Sequence, residues 1–148
     1  VSSNTITTQL NPKEIKKIKA IERVREIAPN GTCLRLEVGA VIVDEEWNIV
    51  SEGVNTSVKG TPTCKEEDSC LTNEEGRCYR TIHAEVNAIL EAKRDLSFHS
   101  IIVSHEPCEN CMKVIAQVGI QNIYYLKKYE NRQKNALGLG ALVNEIEL

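Results

Sequence analysis

Residues 100–126 read "SIIVSHEPCENCMKVIAQVGIQNIYYL": a β-branched strand at 100–104, a helical stretch at 107–118 and a second strand at 121–126. Gly119 falls where a helix C-terminus favours glycine. Strand, helix and strand at this spacing imply a parallel pair with a right-handed crossover, which makes the chain α/β. The intervening helix opens on Pro107, Cys108 and Cys111. The two thiols are three residues apart, so they share one helix face. They also occupy the first turn, where the helix dipole favours thiolate over thiol.

The rest of the chain supplies elements to pack on that pair. "NPKEIKKIKAIERVREIA" at 11–28 repeats apolar residues at helical spacing, with Asn11 as a cap and Pro12 at the first helical position. "LEVGAVIVD" at 36–44 and "WNIVSEGVN" at 47–55 read as two strands of a hairpin turned at "DEEW". Residues 56–82 are irregular, polar and acidic, a length unusual in a compact domain unless something ties it down. A helix follows at 83–94, and 129–148 is expected to add one more helix and a short final strand. There are no internal repeats, so residues 1–148 form one domain, with 1–10 as a loose polar tail.

Composition narrows the partners. Lys and Arg total 18 against 21 Asp and Glu, a net charge of −3. Duplex nucleic acid needs a basic face, so that balance argues against it, while a small anionic substrate needs only a few local donors. No stretch approaches the roughly 20 apolar residues that span a bilayer. The N-terminal "VSSNTITTQL" lacks the basic flank and apolar run of a signal peptide. Six cysteines without such a signal suggest a reducing compartment, hence a cytoplasmic protein whose thiols bind metal more readily than they pair.

The second helix of interest opens on His83-Ala84-Glu85. One imidazole and two thiolates, His83 with Cys108 and Cys111, make three ligands and leave the fourth corner of a tetrahedral zinc open for water. Glu85 lies about 200° round a regular helix from His83, so the carboxylate can point into an adjoining cavity as a proton carrier. Taken alone, Cys-x-x-Cys is also a redox pair or half a structural zinc knuckle, and His-Ala-Glu is also a chance tripeptide. Together and in this order they fit the zinc-deaminase pattern H-x-E…P-C-x-x-C.

On these segments, the chain resembles the cytidine/deoxycytidylate deaminase superfamily, most of all its zinc-dependent deoxycytidylate (dCMP) deaminases. "CLRLEVGAVIVD" resembles the family's first strand, "RTIHAEVNAIL" its dCMP-type zinc segment with Asn87, and "IIVSHEPCENCMKVIAQVGIQNIYYLKKY" its strand–helix–strand. The resemblance spans about 32 to 129. It implies a three-layer sandwich, a central five-stranded mixed sheet flanked by helices on both sides. It also implies hydrolytic deamination, with one catalytic zinc on His83, Cys108 and Cys111 and with Glu85 carrying protons to the pyrimidine N3 and the departing amine.

For substrate, the resemblance places Asn55 on the sugar, and the Ala84 amide with the backbone around Ser104 and His105 on the base. His105 either flanks the pyrimidine or is a rim histidine. Arg35 and Tyr129 are candidates for the 5′-phosphate, with Arg80 as a third; a surface ion pair is the alternative for both arginines. One departure stands out: "GVNTSVKGTP" has Val54 and Thr56 where many dCMP deaminases have tyrosine and glycine.

Cys33, Cys64, Cys70 and Cys78 remain. Some dCMP-type deaminases hold a second, structural zinc in this region, and four thiolates make a closed tetrahedral site. Here Thr63 stands where several of them have histidine. The alternatives are four reduced thiols or a disulfide. The resemblance further implies a homo-oligomer, dCMP as a small-molecule substrate, and no membrane or nucleic-acid partner. Rival readings are a deaminase of another nucleoside, nucleotide or base, and a non-catalytic zinc scaffold.

Overall fold

Asp44 explains how the first hairpin closes. Its carboxylate accepts from the amides of Glu46 and Asn48, both at 2.9 Å, and its carbonyl accepts from Trp47 at 3.0 Å. That turn holds Trp47 in the left-handed region (φ 66°), outside the strand in which periodicity had placed it. The computed structural model describes residues 10–128 and 137–146. In it, β1 (Gly39–Val43) and β2 (Ile49–Val54) are antiparallel, and the strand starting at Ile49 is shorter than expected.

β1 also pairs antiparallel with β5 (Ser100–His105), which pairs parallel with β6 (Asn122–Lys127), as the crossover pattern required. β6 in turn pairs parallel with β7 (Val143–Glu145). The order β2-β1-β5-β6-β7 is a five-stranded mixed sheet.

Alternation along these strands sends side chains to two cores. Ala40, Ile42, Ile101, Val103 and Ile123 face one side, where they meet Met112 and Ile115 of the helix Glu109–Gln117 and Ala84 and Ala88 of the helix Ala84–Ala92. Val41, Val43 and Ile102 face the other, where α1 (Pro12–Ile27) lays down Ala20, Val24 and Ile27. The result is the three-layer sandwich, aliphatic on the first face, while Trp47 joins the second with Tyr124 packed against it.

Asn11 caps α1 as its sequence announced, accepting from the Glu14 amide at 2.8 Å. Within 56–82, two features had no periodic signature. β3 (Thr56–Ser57) and β4 (Thr81–Ile82) form a two-residue antiparallel ribbon separate from the main sheet. A single turn, α2 (Cys64–Glu67), is capped by Thr63, whose hydroxyl accepts from the Glu66 amide at 3.0 Å. The two longer helices above are α3 (Ala84–Ala92) and α4 (Glu109–Gln117). Of the expected C-terminal helix, 129–136 and 147–148 lie outside the described residues; a 3₁₀ turn, Gly140–Leu142, precedes the short final strand.

Candidate metal and substrate site

Two helix starts meet over β1 and β5. His83 is the N-cap of α3 and Cys108 the N-cap of α4, both in extended backbone. Neither has a side-chain cap bond, so the capping positions are given over to other use. The Cys108 carbonyl begins α4 by accepting from Met112 at 2.9 Å, and this places Cys111 in the same turn. α3 is fixed to β2 by the Ser51 hydroxyl, which donates to the Ala88 carbonyl at 2.8 Å. Asn87 adds a bond to the Val54 carbonyl at 2.8 Å and one to the Thr56 hydroxyl at 3.2 Å.

The ligand atoms converge. His83 Nδ1 lies 3.1 Å from Cys111 Sγ and 3.6 Å from Cys108 Sγ, and all three donors fall within 4.8 Å of one another. Tetrahedral zinc with Zn–S of about 2.3 Å and Zn–N of about 2.0 Å requires nitrogen–sulfur edges of about 3.5 Å. The donor set therefore fits zinc in both chemistry and size. The hydrogen bond from Cys111, with help from His83, holds Cys108 as thiolate, down to about 3. The same bond and burial push Cys111 up. His83 is raised, chiefly through its hydrogen bond to Cys108. Such a group shares a proton that a metal ion would displace.

Glu85 is only 4% exposed, and burial pushes its carboxyl up to about 6. It lines a cavity of about 380 Å³ together with His83, Ala84 and Cys108. A buried, elevated carboxyl at a cavity wall beside metal donors suits proton transfer near neutrality.

The other expected residues divide. Asn55, Arg35 and His105 line this cavity. Asn55 is held by its own amide: Oδ1 accepts from Val38 N at 2.8 Å, and Nδ2 donates to the Leu36 carbonyl at 2.7 Å. One lone pair and one hydrogen remain for a ligand. Ser104 sits behind the cavity rather than on it. Its hydroxyl accepts from Gly39 N at 3.1 Å and lies 2.9 Å from His105 Nδ1, so it orients the histidine. Burial, with Lys127 nearby, lowers His105 and favours the neutral ring. Arg80 is absent from the cavity lining; Arg77, which sequence reasoning missed, is on it. Tyr129 lies outside the described residues.

The four other cysteines also assemble. Cys33 Sγ and Cys70 Sγ are 3.8 Å apart, Cys64 Sγ and Cys78 Sγ 3.6 Å, and Cys33, Cys70 and Cys78 all fall within 4.8 Å of one another. All are free thiols, since disulfide sulfurs stand about 2.05 Å apart. Sulfur–sulfur edges round zinc are about 3.8 Å, which these pairs approach. Burial opposes ionisation of Cys78, yet the backbone amides of Arg80 and Leu71 and the neighbouring thiols bring it down to about 7. Burial lifts Cys64 to about 11.

The model of the cytidine and deoxycytidylate deaminase zinc-binding region matches residues 15–127, and the chain belongs to this family. Among its relatives, ComE operon protein 2 of Bacillus subtilis is 38% identical over 82% of this chain and 66% of its own length. An uncharacterized deaminase of Aliivibrio fischeri is 44% identical over 64% of this chain and 61% of its own. The chain thus spans about two thirds or less of these curated relatives. Among solved structures, the dCMP deaminase of cyanophage S-TIM5 in complex with dCMP and dUMP is 26% identical, with a TM-score of 0.73. That match covers 93% of this chain and 100% of the phage chain.

Proposed function

We propose that this chain is a zinc-dependent hydrolytic deaminase of a deoxycytidine nucleotide, converting dCMP and water to dUMP and ammonia. The observation that carries the reading is Glu85, buried at the cavity wall beside His83, Cys108 and Cys111. A purely structural zinc site has no use for such a carboxylate. Those three residues would hold the ion, which when bound brings a water's pKa close to neutrality. With the ion in place, Glu85 would take one proton from that water and give it to the pyrimidine N3, then pass the proton of the new C4 hydroxyl to the amine, which leaves as ammonia as C4 exchanges nitrogen for oxygen. The Ala84 amide at the start of α3 and the neutral His105 ring face the base; Asn55 faces the sugar and Arg35 the phosphate. Relatives named deoxycytidylate deaminase, such as that of Saccharomyces cerevisiae at 29% identity, support the choice of nucleotide.

The direct test is ammonia release from dCMP, dCTP, CMP and deoxycytidine by the zinc-loaded protein. Preference for dCMP is expected. Turnover confined to another nucleoside or base would overturn the substrate, and no turnover of any pyrimidine or purine by folded, zinc-loaded protein would overturn the activity.

Cys33, Cys64, Cys70 and Cys78 belong to the same proposal as a second, structural zinc site, supported by their sulfur spacings. Metal analysis near two zinc per chain is expected, and one per chain rejects it. Thiolate sites of this kind suit a reducing, cytoplasmic compartment. Assembly as a homo-oligomer belongs to the same proposal, and light scattering measures it directly.

A further inference from the structure

We infer that Arg77 is a specificity-determining residue that reads the 5′-phosphate of the substrate, held at the cavity by the turn that the cysteine cluster closes. The inference rests on the nucleotide reading above and adds to it a residue and a source of its placement.

The cavity that contains Glu85 is walled in part by the cysteine cluster itself, through Cys33 and Cys78. It also carries two guanidinium groups, Arg35 and Arg77. Each sits within two residues of a cluster cysteine: Arg35 follows Cys33, and Arg77 directly precedes Cys78. The cluster is therefore not a remote staple. It sets the position of both cations on the wall of the catalytic cavity.

The backbone of Arg77 is fixed. Its amide donates to Asn73 Oδ1 at 2.9 Å, and its carbonyl accepts from Asn73 N at 2.9 Å. Gly76 N donates to the Asn73 carbonyl at 2.9 Å, and Gly76 takes φ 80°, a conformation that glycine adopts without strain. Just outside this turn, Thr72 and Cys78 form an isolated β-bridge, and Tyr79 N donates to the Leu71 carbonyl at 2.8 Å. Cys70 and Cys78 thus grip both strands leading into the turn.

The side chain is not committed. Among the described residues its ion pair is a 3.9 Å contact between Nε and Glu75, with both side chains more than half exposed. Exposed pairs of this kind contribute little. A guanidinium on a pinned backbone presents a fork that matches two phosphate oxygens. Neutralising a phosphate dianion next to Glu85 and Glu106, which also line the cavity, requires more than one cation, and Arg35 and Arg77 supply two.

The experiment compares wild type, Arg77→Ala and Arg77→Lys in two measurements. The first is kcat/KM for dCMP against deoxycytidine; the second is calorimetric binding of dUMP against deoxyuridine. Arg77→Ala is expected to lower the dCMP-to-deoxycytidine ratio on the order of 10- to 100-fold, through KM, with a parallel loss of dUMP affinity. Arg77→Lys, which keeps the charge and loses the fork, recovers part of both. An unchanged ratio, or equal losses on the phosphorylated and unphosphorylated compounds, overturns the role of Arg77. A wild type that binds dUMP no better than deoxyuridine overturns this inference and the nucleotide reading together. A wild type that binds dUMP through Arg77 without deaminating dCMP overturns the reaction alone.

Discussion

A methyl group built on Gly53 would collide with the backbone nitrogen of Ala88, because α3 rests directly on β2 at that point. The same methyl would meet the Ala84 carbonyl at 2.6 Å. Both atoms are helix backbone and cannot swing aside. Gly53→Ala is therefore expected to destabilise the fold by about 1–3 kcal/mol and to displace α3, which carries His83 and Glu85. Thermal denaturation and zinc affinity measured together check this: both should fall.

The division of labour at the site predicts two kinds of variant. Glu85→Gln is expected to retain zinc yet lower kcat by about 100- to 10,000-fold. His83→Ala, Cys108→Ser and Cys111→Ser are expected to lose metal as well as turnover. Zinc content alongside the rate separates the two. Near-normal turnover by Glu85→Gln would remove the proton-carrier role.

Glu85 also ties activity to stability. Burial raises its carboxyl from 4.5 to about 6, so the folded state prefers the protonated acid. That preference stabilises the fold fully below pH 4.5 and is lost as pH rises through 6. In zinc-chelated protein, the ionised carboxylate at pH 7 costs about 2 kcal/mol. Glu85→Gln should therefore melt higher than wild type at pH 7, with the difference vanishing near pH 4. Equal melting at pH 7 and pH 4 would contradict this.

The cysteine cluster predicts a local effect. Cys70→Ser is expected to remove one zinc equivalent and to expose the 58–80 segment to trypsin at Lys65 and Arg77, while α3 and α4 stay protected. Peptide mapping after brief digestion shows which bonds open. Cleavage spread evenly through the chain would mean that the cluster supports the whole fold.

Much of this was legible in the sequence. The β-branched runs at 36–44 and 100–104 marked two central strands, the resemblance implied a sheet covered on both faces, and Asn11 and Pro12 marked the start of α1. His83, Glu85, Cys108 and Cys111 converge as their spacing at two helix starts implied. What escaped depends on contacts remote in sequence. Trp47 leaves β2 because the Asp44 side chain closes the turn before it. The ribbon of Thr56–Ser57 with Thr81–Ile82 is too short to show a period. Arg77 reaches the cavity because an Asn73 side chain and a left-handed Gly76 aim it there, and Arg80, three residues on, does not. The one signal that pointed to Arg77 was its adjacency to Cys78.

The wall formed by Arg77, Cys78 and Thr81 comes from a stretch whose only ladder, β3 with β4, shares no strand with the main sheet. His83, Glu85, Cys108 and Cys111, by contrast, sit at the starts of helices packed on that sheet. The two are joined at one end of the ribbon, where Ile82 leads directly into His83 and Asn87 bonds the Thr56 hydroxyl. Substitutions along the wall of Arg77, Cys78 and Thr81 would therefore change which molecule the cavity admits before they change the proposed reaction.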